Sequence, residues 1–393
     1  MAVHIRQVFV ILFFSLFIAM LGAGVISPTM PLYAETLGAT GWGLGVIYSS
    51  FSVSRAVFMP VVGKLSDRRG RKIFIVLGLT IYTLASLGYI WADSIVQLVW
   101  IRFLHGVGSA MIVPVAAAAI GDISPRGREG RLMGTFNVAL FLGFGAGPLL
   151  GGLVMDALSM SWVFVLMGAL SFVSLISILV FLPERQRRGR MKTRNVSRLH
   201  TLWREPVFRG LVTFRFSNAV ARGSVTAFIP VFASRLDIDA GYIGLLVSLN
   251  ILLTGGVQHF FGPVADRLDR RKLVVFGNLV GIIPLLLTPF AGNLGHLLVL
   301  GVVMGVGSGL AFPAASAIAT ELGREHGMGN IMGFFNQSMS LGMITGPVVA
   351  GCIMDLFNIS VVFIFGGIVG LMGSLLAAVW FGILRGTISS ANV

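Results

Sequence analysis

Residues 63–72 read Gly63-Lys64-Leu65-Ser66-Asp67-Arg68-Arg69-Gly70-Arg71-Lys72, and 199 positions later the chain reads Gly262-Pro263-Val264-Ala265-Asp266-Arg267-Leu268-Asp269-Arg270-Arg271. Gly63, Asp67, Arg68 and Arg71 thus fall on Gly262, Asp266, Arg267 and Arg270. The same ungapped offset carries Pro31 onto Pro230, Gly106 onto Gly305, Gly108 onto Gly307 and Pro114 onto Pro313. Between 130–152 and 329–351, ten of 23 positions are identical, including Gly147-Pro148 on Gly346-Pro347. One offset serving the whole half-chain marks an internal duplication.

Each copy is too apolar for a water-soluble domain. Of 393 residues, 56% are hydrophobic and 11% charged, with a mean hydropathy of +0.91. Soluble domains carry about 25% charged residues. A helix needs about 20 apolar residues to cross the hydrocarbon core. Twelve such runs are present, near 8–33, 41–63, 73–92, 96–121, 131–156, 161–182, 207–233, 241–263, 273–292, 295–320, 329–354 and 359–383. The first run is too long for a signal-peptide core and is read as a retained helix. Short alternating strands, which a closed barrel would need, are absent from the pattern. The expected fold class is therefore an all-α membrane protein of twelve transmembrane helices. Two six-helix bundles, 1–182 and 207–393, flank a basic linker at 183–206. Six is even, so both copies enter from one side, giving parallel repeats related by a pseudo-twofold axis along the membrane normal.

The net charge of +14 reports topology. With the N-terminus inside, the inner loops hold 24 of the 29 Lys and Arg, and the outer loops hold only Arg235. That bias puts both termini in the cytoplasm of a multi-pass protein, with the plasma membrane as its expected location. Nucleic acid is not an expected partner. Trp42, Trp91, Trp100 and Trp162 fall near outer span ends, and Trp203 and Trp380 near inner ends, as an interfacial belt requires. The linker carries Arg185, Arg187, Arg188, Arg190, Lys192, Arg194, Arg198 and Arg204, which suits anionic lipid headgroups. The single cysteine, Cys352, supports neither an intramolecular disulfide nor a metal cluster.

Some of the loop chemistry can be read directly. Gly63 is expected to end span 2, and Gly70 to permit a tight turn. Asp67 can meet the positive N-terminal end of a facing helix. Arg71 can pair with a carboxylate such as Asp122 at the inner end of span 4. In the second copy Asp266, Arg270 and Glu321 repeat this trio, while Asp269 replaces the turn glycine. This loop resembles the signature loop of the major facilitator superfamily, and the resemblance extends over all twelve spans. It implies that these groups form a cytoplasmic gate, with Asp67 facing the start of span 11 and Arg71 facing Asp122. Span 5 reads Gly143-Phe144-Gly145-Ala146-Gly147-Pro148-Leu149-Leu150-Gly151-Gly152, and span 11 echoes it with Gly342, Gly346-Pro347 and Gly351. Small residues let helices approach closely, and proline kinks a span. The run is similar to the motif of the exporter branches. Leu21-Gly22-Ala23-Gly24-Val25-Ile26-Ser27-Pro28-Thr29-Met30-Pro31 likewise resembles the twelve-span drug/proton antiporter group.

All fifteen carboxylates lie near span ends or in loops. The intramembrane ionisable groups are Arg55, Arg102, Arg215 and Arg222, with His105 and His259. An arginine at a span centre costs about 2.5–3.5 kcal/mol on insertion scales, so four of them call for a reason. At 1.5 Å per residue, Arg215 lies roughly 12 Å and Arg222 roughly 22 Å from the inner end of span 7. Arg215, Asn218 and Arg222 are spaced i, i+3, i+7 and share a helix face, as Arg102 and His105 do on span 4. In the family resembled, spans 1, 4, 7 and 10 line the cavity and the span-4 arginine is implicated in proton coupling. Arg102, His105, Arg215, Asn218 and Arg222 are therefore expected to meet water and substrate, with Arg55 also a candidate. The buried Asp or Glu usual in drug–proton exporters is missing, which points to a cationic cavity and an anionic or neutral substrate.

The sequence thus reads as a secondary active transporter of small organic molecules, an efflux antiporter working by alternating access. The alternative within transport is an organic-anion importer or exchanger that uses the intramembrane arginines. No paired carboxylates, metal spacing or nucleophile–base set indicates an enzyme, and no nucleotide loop or other cofactor site is visible. The expected partners are a small-molecule substrate, protons as coupling ion and membrane lipid, with the protein acting as a monomer.

Overall fold

The computed structural model describes residues 2–124, 129–183, 202–265 and 268–383. Among these the chain is helical throughout, with no strand. The first span is broken into α1 (Ala2–Val25) and α2 (Thr29–Thr36). The break falls at Ser27-Pro28, where proline offers no N–H to continue the ladder. Spans 2 to 6 are α3 (Gly41–Arg69), α4 (Arg71–Ile90), α5 (Ile95–Ile123), α6 (Glu129–Ala157) and α7 (Met160–Phe181). Spans 7 to 12 are α8 (Pro206–Ser234), α9 (Ala240–Ala265), α10 (Arg270–Leu287), α11 (Leu294–His326), α12 (Met328–Leu356) and α13 (Ile359–Trp380). Among the described residues eleven segments are long and apolar enough to cross a membrane, with α1 and α2 counted together. The twelfth, α8, is long enough at 29 residues but carries Arg209, Arg215 and Arg222. It is the polar span of the set.

Gly63 does not end the second span. α3 runs six residues further, to Arg69, and the break is Gly70 alone, at φ 98° and ψ 152°. A side chain would be strained at that φ, so the turn requires glycine. The second copy solves the same turn differently. Asp269 is the N-cap of α10, its carboxylate accepting from the Arg271 and Lys272 amides at 3.0 and 3.4 Å. A capping carboxylate needs no positive φ, which explains how aspartate replaces the turn glycine. Gly262 lies within α9, whereas Asp266 and Arg267 lie outside the described residues, as does most of the basic linker.

The chain divides into two compact units, Met1–Gly189 with Pro230–Leu252, and Arg190–Ile229 with Leu253–Val393. In the first, α1 packs on α6 and α7, α3 on α5, and α4 on α5 and α7. Val8, Leu12, Leu16, Phe74, Ile112 and Phe136 are among its buried core. In the second, α10 packs on α11 and α13, and α12 on both α11 and α13. Phe208, Phe214, Val274, Ile318 and Phe335 contribute to its core.

Lipid tails are as apolar as leucine, so helices here gain little from hydrophobic burial and depend on close packing. The duplicated glycines supply it. On α6, Gly147 faces α1 so closely that an added Cβ would lie 2.5 Å from the Leu21 carbonyl and 2.6 Å from Gly24 Cα. Gly143 and Gly151 meet α1 in the same way, at Phe17 and Val25. The second copy repeats the contact between α12 and α8. There a Cβ on Gly342 or Gly346 would come within 2.6 Å of the Phe216 or Val220 carbonyl. Gly78 and Gly108 join α4 to α5, and their repeat equivalents Gly277 and Gly307 join α10 to α11. Pro148 and Pro347 sit inside continuous helices, and Gly351 is buried.

Candidate functional site

Arg102 lies two turns from the start of α5, roughly 10 Å from its end, and is 8% exposed. Its guanidinium sits over the Tyr48 ring at 5.2 Å and the Phe51 and Tyr89 rings at 6.0 Å. The Tyr48 and Tyr89 hydroxyls also interact with it. Tyr48 in turn donates to the Ser27 carbonyl at 3.2 Å, where the first span is broken. Tyr89 lies 3.1 Å from His105 Nδ1. If Tyr89 accepts from the guanidinium, its own proton goes to Nδ1 and the imidazole carries its hydrogen on Nε2. Arg102 Nε and His105 Nε2 are both buried without a hydrogen-bond partner among the described residues.

His105 does not face an open cavity. It is 2% exposed, and its ring is edge-on to Tyr82 at 4.3 Å and Phe51 at 5.4 Å. The i, i+3 spacing set Arg102 and His105 on one side of α5, and α3 and α4 cover that side. Arg55 is half-buried on α3 and, like Arg102, lies within electrostatic range of the Tyr82 hydroxyl. The first unit thus gathers Arg55, Arg102 and His105 around three tyrosines.

The tyrosines are the residues that sequence reasoning missed. A signal existed: of five tyrosines in the chain, four fall in the first copy. The fourth, Tyr33, donates to the Tyr89 and Ala92 carbonyls at 3.0 and 2.6 Å and braces the end of α4.

In the second unit the shared stripe on α8 divides. Arg215 is 8% exposed. It lies over the Phe312 and Phe335 rings, at 4.8 and 4.5 Å, and reaches Met339 Sδ at 2.8 Å. Its Nε is also buried without a partner among the described residues. Asn218 turns the other way. It donates to Asn278 at 2.8 Å, and Asn278 donates to Ser374 at 2.7 Å. This polar chain ties α8 to α10 and α13. Arg222 is exposed, midway along α8, its guanidinium making no hydrogen bond or ion pair among the described residues. The remaining turns of α8 pack through Gly223 on α12 and through Ser217 on Gly373 of α13.

Arg71 meets Asp122, the partner the family resemblance implied. Arg71 Nε lies 3.3 Å from Asp122 Oδ2, and another nitrogen donates to Ser66 at 2.7 Å. The same guanidinium also pairs with Asp67. In the second copy Arg270 lies 3.4 Å from Glu321. Among the described residues no cluster of ligating side chains could hold a metal ion.

Twelve spans in duplicate, charge-paired inner loops and arginines within the spans are the features of a polytopic transporter. Residues 12–235 and 211–391 match the profile of the Major Facilitator Superfamily, and the chain belongs to that family. Its members are transporters and not enzymes. The chain is 30% identical to an uncharacterised MFS-type transporter of Methanocaldococcus jannaschii, over 92% of this chain and 95% of the relative. It is 27% identical to Multidrug resistance protein 2 of Bacillus subtilis, over 95% of each. A point mutant of the nucleoside transporter NupG shares the fold, with a TM-score of 0.82 at 14% identity over 95% of this chain and all of that one.

Proposed function

We propose that this transporter exports small organic molecules across the plasma membrane by alternating access, both termini lying in the cytoplasm, and that its substrates are anionic or neutral. The observation that carries the substrate class is Arg222, an exposed guanidinium midway along α8. A cationic group in a low-dielectric region favours an anion and repels a lipophilic cation. All fifteen carboxylates lie near span ends or in loops, so none stands at that depth to attract a cation. Arg102 is a second anion-recognising group, because its tyrosine hydroxyls can be exchanged for substrate oxygens. Export is supported by the glycine–proline run of α6 and by the likeness to Multidrug resistance protein 2. A proton gradient is the proposed energy source.

The test is flux in proteoliposomes, with carboxyfluorescein as anion and ethidium as cation. Arg222→Ala should lower anion flux at least tenfold, Arg222→Lys should retain much of it, and Arg102→Ala should also lower it. Unchanged anion flux in both alanine variants would overturn the anionic reading. The second reading, an organic-anion importer or exchanger, rests on the same arginines. An inward-directed gradient that drives uptake better than efflux would favour it.

A further inference from the structure

Asp156 is the penultimate residue of α6, and neither the gate motif nor the glycine motif includes it. Its Oδ1 accepts from the Ala240 amide at 3.1 Å and its Oδ2 from the Gly241 amide at 2.7 Å. These are the first two N–H groups of α9, which have no acceptor within their own helix. They also form the positive end of the helix dipole. A carboxylate held between them makes two charge-assisted bonds.

Beneath this cap the two helices meet backbone on backbone. Gly152 lies against the Ala240 carbonyl, and Gly244 against the Pro148 carbonyl. Ser248 accepts from the Leu149 amide at 2.9 Å, just past the proline. The residues Ala240–Leu252 belong to the same compact unit as α6, although the second copy of the repeat encodes them. Nearby, Arg235 and Glu35 approach at 3.9 Å, adding a weak, half-exposed ion pair. At the capped end the contact is largely glycine on carbonyl, with Leu153 beside Gly241, and the larger Ile251 and Leu252 side chains meet Gly145 only further along. What holds it at its end is an ion–dipole bond, which is strong when seated and is replaced by water when open.

We propose that Asp156 is a latch that joins the ends of α6 and α9 on the outer side of the membrane and is released once in each transport cycle. This rests on the alternating-access reading and the orientation proposed above. The latch should bias the closed state by about tenfold, enough to favour it without locking it.

Electron–electron distance measurement tests this in purified protein without substrate. Nitroxides would be placed at Leu158→Cys and Ile238→Cys in a Cys352→Ser background. The parent should show a dominant short distance. Asp156→Ala should raise the ratio of long to short distances about tenfold, Asp156→Asn should raise it less, and Asp156→Glu should restore the parent pattern. An unchanged distribution in monodisperse Asp156→Ala overturns the proposal. Should that variant fail to fold, an unchanged distribution in Asp156→Asn overturns it instead. A shifted distance without flux of any probe would count against the export reading and leave the latch standing. Normal flux with an unmoved distance would overturn the latch alone.

Discussion

The two copies share one skeleton and differ in their polar chemistry. In the first, Arg102 is surrounded by Tyr48 and Tyr89, whose hydroxyls reach on to Ser27 and His105. In the second, Arg215 lies between two phenylalanines and a methionine sulfur. The positions that repeat are glycines and gate charges. The positions that do not repeat are the arginines, whose equivalents are Thr254 for Arg55, Gly301 for Arg102, Leu16 for Arg215 and Ala23 for Arg222. Duplication has preserved the close-packing glycines and the inner-loop charges, while the intramembrane arginines lie where the copies have diverged.

The largest effects should be the ones the copies share. Gly147→Ala and Gly346→Ala should each cost about 3 kcal/mol or more, because the added Cβ meets backbone that cannot yield. Folded yield and thermal unfolding in detergent would check this. A large loss in one variant and none in the other would break the equivalence of the two copies.

Next in size is the contrast between the arginine sites. Arg102→Met should destabilise by about 2 kcal/mol, since it removes a cation from three rings and leaves phenol oxygens short of a donor. Arg215→Met should be close to neutral, within about 1 kcal/mol. It also loses ring contacts, but it relieves a buried charge that has no counter-ion among the described residues. Equal losses in the two variants would show that the hydroxyl lining does not matter.

The smallest difference is expected at the gates. Arg71 is bonded to Ser66, Asp67 and Asp122, and its side chain is 16% exposed. Arg270 is 33% exposed, and its partner Glu321 is 67% exposed. Arg71→Ala should therefore cost about 1 kcal/mol and Arg270→Ala a few tenths, the range of solvated ion pairs. The order of the two melting shifts is the measurement.

Much of this was legible in the chain itself. Hydropathy and the repeat point to twelve spans, and the structure adds the break at Ser27-Pro28 and a longer reach of α1, α3 and α11. The charges at the inner helix ends made Asp122 one candidate partner for Arg71, the family resemblance singled it out, and the repeat carried the same pairing to Arg270 and Glu321. Asp156 is within reach of the same route, since the offset carries Met155-Asp156 onto Met354-Asp355. Spacing alone does not single it out, because a carboxylate at a span end looks like ordinary solvation.

The sequence by itself determined which residues are charged, how deep they lie and which recur, because those are properties of a one-dimensional pattern in a slab of fixed thickness. Only the tertiary structure decided where each side chain points. Arg215, Asn218 and Arg222 share a stripe on α8, yet one enters an aromatic nest, one joins a hydrogen-bond chain and one stays exposed. Helical spacing fixes a direction about one axis. The neighbouring helices decide what stands in that direction, and they come from residues tens to hundreds of positions away.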